Sequence, residues 1–165
     1  NSATAFNGNI SSWNVAKNTD FQSMFNNCAS FNQNISSWNT VEGRLFNNMF
    51  HNCTAFNQNI STWNVAKATT FATMFSGATS FQQNLGAWVI VALTAATNMF
   101  LSVTLTNANY NGLLAGWGAQ VPLTSVVFSG GSSHYDTTSG GFNGTAGRAV
   151  LTGTYSWSIT DGGTP

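Results

Sequence analysis

Large apolar residues recur along this chain at a spacing far longer than one turn of helix or one pleat of strand. Aligned at 25 residues, Phe6, Phe31, Phe56 and Phe81 form one column. Ile10, Ile35, Ile60 and Leu85 form a second, and Trp13, Trp38, Trp63 and Trp88 a third. The pairs Met24–Phe25, Met49–Phe50, Met74–Phe75 and Met99–Phe100 form a fourth, and Phe21, Phe46 and Phe71 a fifth that closes with Ala96. The period runs through four units without insertion. A fixed period of about 20–29 residues predicts a solenoid: one unit is too small to bury its own apolar face, so stacked units bury it against one another.

Within a unit, "NQNISSW" is expected to be a strand with Ile35 facing inward. "FQSMFNN" is expected to be a short helix, because Phe21, Met24 and Phe25 lie at i, i+3 and i+4. Thr19 and Asp20, or Thr69 and Thr70, stand where they would cap it. "NVAKNTD" and "NVAKATT" read as loops. Two asparagine columns accompany the apolar ones: Asn9, Asn34, Asn59 and Asn84, and Asn14, Asn39 and Asn64. Stacked amides donate and accept along a column and close backbone corners. The other reading is a polar face that contacts a ligand.

After about Val103 the period fades, although Tyr110 and Leu113 still fall on the Ile and Trp columns. "TNANYNGLLAGWG" predicts a helix, with Tyr110, Leu113, Leu114 and Trp117 on one face, Thr106 or Asn107 as cap and Gly118 at its end. "TSVVFS" predicts a strand closed by Gly130–Gly131, "TAGRAVLTG" a helix capped by Thr145, and "TYSWSIT" a last strand. The expected architecture is α/β: a repeat solenoid over residues 1–103 and an α+β capping segment over 104–165. Asn1 aligns with Asn26, so the chain is expected to open in mid-unit as part of a longer polypeptide.

The unit resembles that of the BspA-like leucine-rich-repeat surface proteins, whose pattern is roughly F-N-x-D-I-x-x-W-D followed by V-x-x-M-x-x-M-F-x-G-A/C. The likeness covers Asn1 to about Val103, and "ANYNGLLAGW" and "RAVLTGTYSWSITDGG" look like the end of such proteins. The resemblance implies a leucine-rich-repeat-type β/α solenoid with a role in adhesion or interaction at bacterial or phage surfaces. One departure is plain. Acidic positions of that pattern are Asn9, Asn14, Asn34, Asn39, Asn59 and Asn64 here, which leaves no carboxylates there for a cation.

Composition narrows the function classes. Charged residues make up 5% of the chain, with Lys plus Arg 4 and Asp plus Glu 4. With no basic stripe, nucleic acid is not an expected partner. The longest apolar run, "AWVIVALTAA", is far short of the ~20 residues of a membrane span. The surface is polar but uncharged, a composition that suits an extracellular, cell-surface or virion-surface protein.

Candidate chemistry is sparse. The acids are Asp20, Glu42, Asp136 and Asp161; the two within the repeat, Asp20 and Glu42, do not share a column, and Asp136 and Asp161 lie beyond it. No GxSxG, HExxH, GxxxxGK[ST] or EF-hand loop occurs, so no catalytic, cofactor or metal site is expected. His134-Tyr135-Asp136 is the one polar cluster with acid–base potential, in a Gly-rich segment that otherwise reads as a surface loop. Cys28 and Cys53 stand one period apart in a column continued by Ala78 and Val103. Buried free thiols and a bridge between neighbouring units both fit that placement. Five sequons, at Asn9, Asn34, Asn52, Asn59 and Asn143, matter only in a glycosylating host.

Two candidate surfaces follow. The rows Asn32, Gln33, Ser37 and Asn57, Gln58, Thr62 are expected to face outward and to bind a partner protein or a glycan. Phe6, Ile10 and Trp13 are expected to form a bare assembly end, on which another molecule stacks head to tail into an oligomer or filament.

Overall fold

The computed structural model describes residues 3–165. Asn1, expected at the assembly end, lies outside them. Through residue 103 the units lie side by side in parallel. Isolated bridges join Asp20 to Leu45, Leu45 to Thr70 and Thr70 to Ala95, and Ala96 to Phe128. After the units come α1 (Asn107–Gly118), β1 (Val127–Ser129), a short 3-10 turn (Ser139–Gly141), α2 (Gly144–Gly153) and β2 (Ser158–Thr160). β1 lies against the fourth unit through Ala96↔Phe128 and pairs in parallel with β2 in the register Val127↔Ser158, Phe128↔Ile159 and Ser129↔Thr160.

The helix expected in "FQSMFNN" does not form. Its odd-numbered N–H groups, from Phe21, Ser23, Phe25 and Asn27, donate to the carbonyls of Leu45, Asn47, Met49 and His51 in the next unit. Its even-numbered ones, from Met24, Asn26 and Cys28, donate three residues back. Ser23 and Asn27 are left-handed (φ 54 and 61), and so are Asn48 and Asn52, Thr73 and Gly77, and Asn98 and Ser102 one to three units on. A left-handed third residue is what a type II turn requires, so each unit crosses here in a run of tight turns. The i, i+3, i+4 pattern was real but served turn geometry: Phe21, Phe25, Phe46 and Phe50 are all buried.

The strand expected in "NQNISSW" is also absent, because side-chain amides take the place of ladder carbonyls. Asn7 Oδ1 accepts from Asn32 N and Gln33 Nε2, and Asn32 Oδ1 from Asn57 N and Gln58 Nε2. Asn57 Oδ1 accepts from Gln82 N and Gln83 Nε2 in turn. The columns Asn9, Asn34, Asn59 and Asn84, and Asn14, Asn39 and Asn64, work inside their own units. Each Oδ1 accepts the N–H two residues on, as an Asx turn does.

The core is a set of aromatic columns. Phe31 lies 5.9 Å from Phe6 and 5.9 Å from Phe56, with Phe56 6.0 Å from Phe81, all near parallel. Phe25, Phe50, Phe75 and Phe100 repeat at 5.6, 5.6 and 5.5 Å. The Trp38 and Phe50 side chains are 4% and 0% exposed. Each inner tryptophan donates its indole N–H to the Ile column of the preceding unit: Trp38 to Ile10, Trp63 to Ile35 and Trp88 to Ile60. Trp117 of α1 continues the series to Leu85 O at 3.1 Å. The position that period alone gives to Leu113 is thus filled four residues later, from a helix.

The helix α1 is capped by Thr106, whose side chain accepts from Asn109 N. At α2 the cap is Asn143, accepting from Ala146 N, and not Thr145 as the sequence suggested. The helix α1 packs at backbone distance on the fourth unit: a Cβ placed on Gly86 would fall 2.1 Å from Gly112 O.

Candidate functional site

Two pockets follow one another along the units on the side of the Asn34 column and together make up the candidate cleft. The first part, about 370 Å³, is lined by Asn34, Ser36, Ser37, Gln58, Asn59 and Thr62. The second, about 430 Å³, starts at Ser61, next to Thr62 in the chain, and is lined also by Asn84, Gly86 and Ala87, by Gly112 and Gly116 of α1, and by Phe142. Two of the six residues proposed as the outward rows, Asn32 and Asn57, belong to the amide ladder that joins the units. Gln33 also commits its amide N–H to Asn7. Ser37, Gln58 and Thr62 do line the cleft. Asn34 and Asn59, read from the sequence first as backbone corners and second as a ligand-facing column, line it too, whereas Ser36 and Phe142 were not among the expected site residues.

The hydrogen-bonding state of the cleft follows from its turns. Asn34 and Asn59 spend their Oδ1 on Ser36 N and Ser61 N, each at 3.0 Å. Their NH2 groups find no partner among the described residues. Gln58 is the reverse: its Nε2 donates to Asn32 O and Oδ1 at 3.0 and 2.9 Å, which leaves Oε1 as an unengaged acceptor. The hydroxyls of Ser37 and Thr62 donate to Ser11 O and Ser36 O across the unit boundary and keep lone pairs outward. Among the described residues no charged side chain lines either part.

The family model that matches the chain, over residues 1–113, is that of "Mycoplasma protein of unknown function, DUF285". The chain belongs to the DUF285 family. No curated protein and no solved structure matches it. The matched range covers all four units and ends inside α1, so Asn34, Ser36, Ser37, Gln58, Asn59 and Thr62 are DUF285 residues, whereas Phe142 lies beyond it.

In this DUF285 chain the His134-Tyr135-Asp136 cluster is dispersed. His134 lies against Gly162, and its Nδ1 is buried without a partner among the described residues. The ring of Tyr135 lies under the Arg148 guanidinium, 5.1 Å away. Asp136 turns to α1: Oδ1 accepts from Asn111 Nδ2, Thr138 N and Ser139 N, and Oδ2 from Asn107 Nδ2 and the Ser139 hydroxyl. That hydroxyl first, and then the backbone N–H groups, hold the carboxyl far below the usual carboxylate range. Asp161 accepts from Tyr110 OH and Arg148 Nε, both at 2.9 Å, and burial pushes the Tyr110 phenol well up. Both carboxylates tie loops to helices. Among the described residues no three His, Cys, Asp or Glu side chains converge as metal ligands.

The proposed assembly end is only partly bare. Trp13 is 52% exposed, and with Phe6, Met24, Phe25, Cys28 and Ala3 it lines a shallow apolar hollow of about 220 Å³. Ile10, expected to be uncovered, is 3% exposed and belongs to the continuous core. Cys28 and Cys53 are free and buried, and Cys53 Sγ donates to Phe25 O at 2.9 Å.

Proposed function

We propose that this DUF285 chain is a non-catalytic interaction module of the BspA-like kind. In this reading the parallel units form a leucine-rich-repeat-type solenoid, residues 104–165 cap it, and the cleft binds a neutral polar partner at a cell or virion surface. One observation carries the reading: the amide groups of Asn34 and Asn59 are fixed by their turns and that of Gln58 by its bonds to Asn32 of the neighbouring unit, yet all three keep donors or acceptors for an outside ligand. A rigid, pre-formed surface binds with little loss of side-chain freedom. The absence of charge in the cleft favours a ligand that is itself neutral. No helix among the described residues is long and apolar enough to cross a membrane.

The test is binding to arrays of surface proteins and of glycans, with Thr62→Arg set in the cleft and Lys17→Ala, outside it, as a control. The reading expects neutral partners whose binding is lost in Thr62→Arg and kept in the control. Binding that ignores Thr62→Arg, or that follows ligand charge alone, would overturn it.

A second reading, a filament subunit that stacks head to tail, is favoured by the exposed ring of Trp13. It ranks lower because Ile10, one of the three residues of that end, is already buried in the core. Sedimentation at rising concentration decides it: growth that Trp13→Lys abolishes supports the filament, and a monomer throughout counts against it.

A further inference from the structure

We propose that Phe142 is a stacking platform for a pyranose ring, so that the ligand of the cleft is a neutral oligosaccharide lying along the units. This rests on the function proposed above and names its ligand class.

Phe142 is 42% exposed and lines the far part of the cleft, beside Gly86, Gly112 and Gly116. Its backbone is held from both sides. Asn111, fully buried, donates from Nδ2 to Phe142 O at 3.3 Å, to Ser139 O at 3.2 Å and to Asp136 Oδ1 at 2.8 Å, and its Oδ1 accepts from Asp136 N at 2.9 Å. Phe142 N donates to Ser139 O at 3.4 Å. A buried amide and a carboxylate are therefore both committed to fixing the backbone of a loop whose aromatic side chain is 42% exposed. The exposed part of the ring adds nothing to the core, but a ring carried on a fixed backbone is a ready stacking surface.

The rest of the cleft matches the other half of a sugar. A pyranose has an apolar C–H face and an edge of hydroxyls that both donate and accept. Beside the ring the floor is backbone and glycine, which lets a flat ring approach. Further along, the Asn34 and Asn59 NH2 groups donate and Gln58 Oε1 accepts. Those groups return once per unit, at the ~5 Å spacing of parallel neighbours, and so suit a ligand with its own repeating hydroxyls. With no charged group in the cleft, an anionic sugar gains nothing over a neutral one.

The experiment is titration of the 15N-labelled 165-residue chain with neutral hexasaccharides of glucose, mannose and xylose. The expected result is saturable shifts of the Asn34 and Asn59 side-chain amides and of Phe142. Phe142→Ala should weaken binding roughly tenfold with an unchanged circular dichroism spectrum, and Phe142→Trp should retain it. Binding unaffected by Phe142→Ala would overturn the platform. If no hexasaccharide binds, while a protein partner is found whose binding Thr62→Arg abolishes, this inference fails and the functional reading stands. If a hexasaccharide binds equally to Thr62→Arg, the cleft is not its site and both fail.

Discussion

The indole Nε1 of Trp63 donates to the backbone oxygen of Ile35, 28 residues back and 3.0 Å away, and the same oxygen accepts from Trp38 N at 3.1 Å. One carbonyl thus closes a turn in its own unit and receives the ring of the next. Replacing Trp63 with Phe removes the cross-unit bond and part of the buried ring. The expected cost is about 2 kcal/mol in urea unfolding, near half from each source. Trp13, half exposed, makes no such bond among the described residues, and Trp13→Phe should stay within about 0.5 kcal/mol of the wild type.

Gly86 and Gly112 touch through backbone. A Cβ on Gly86 would meet Gly112 O at 2.1 Å, and one on Gly116 would meet Gly86 O at 2.2 Å. Gly86→Ala should push α1 off the fourth unit and cost about 1–3 kcal/mol. A large loss of protection in hydrogen exchange should be confined to 107–118 and its contacts, and protection of the 21–28 turns should persist.

Asp136 carries a pH signature. Its carboxyl is held below the unfolded value, so its contribution is present above the unfolded carboxylate pKa of about 3.9 and is lost as pH falls toward the lower folded value. Asp136→Asn should lower Tm at pH 7, and the gap to wild type should narrow steadily below about pH 4. A gap that stays constant down to pH 2 would show that the loop bonds do not depend on the ionised form.

Burial raises both thiols, Cys53 up to about 12. At pH 8 neither should react with iodoacetamide while the chain is folded, and both should react in urea. Intact mass should not change on reduction, since the two are free.

The aromatic columns were legible in the sequence because burial repeats by position: Phe31, Phe56 and Phe81 had to face one another whatever local backbone carried them. The backbone itself was not legible. Phe21, Met24 and Phe25 fit a helix, and only the left-handed residues Ser23 and Asn27, ordinary in type, show that the segment is turns. The same holds for the asparagines. Asn32 reads as outward but bonds between units, while Asn34 is the corner it reads as and lines the cleft as well, a difference set by which backbone N–H each amide oxygen meets. Phe142 lies outside the repeat and had no column to mark it.

The central claim is that the units are interchangeable layers whose stacking creates both core and cleft. Deleting one whole unit, Phe31 to Ala55, and measuring urea unfolding by tryptophan fluorescence tests it most directly. Because stacking acts between neighbours, the shortened chain should unfold in a single cooperative transition with a smaller m-value in keeping with its smaller buried area. Loss of the cooperative transition in that deletion would contradict the claim and place the fold among those that need every segment at once.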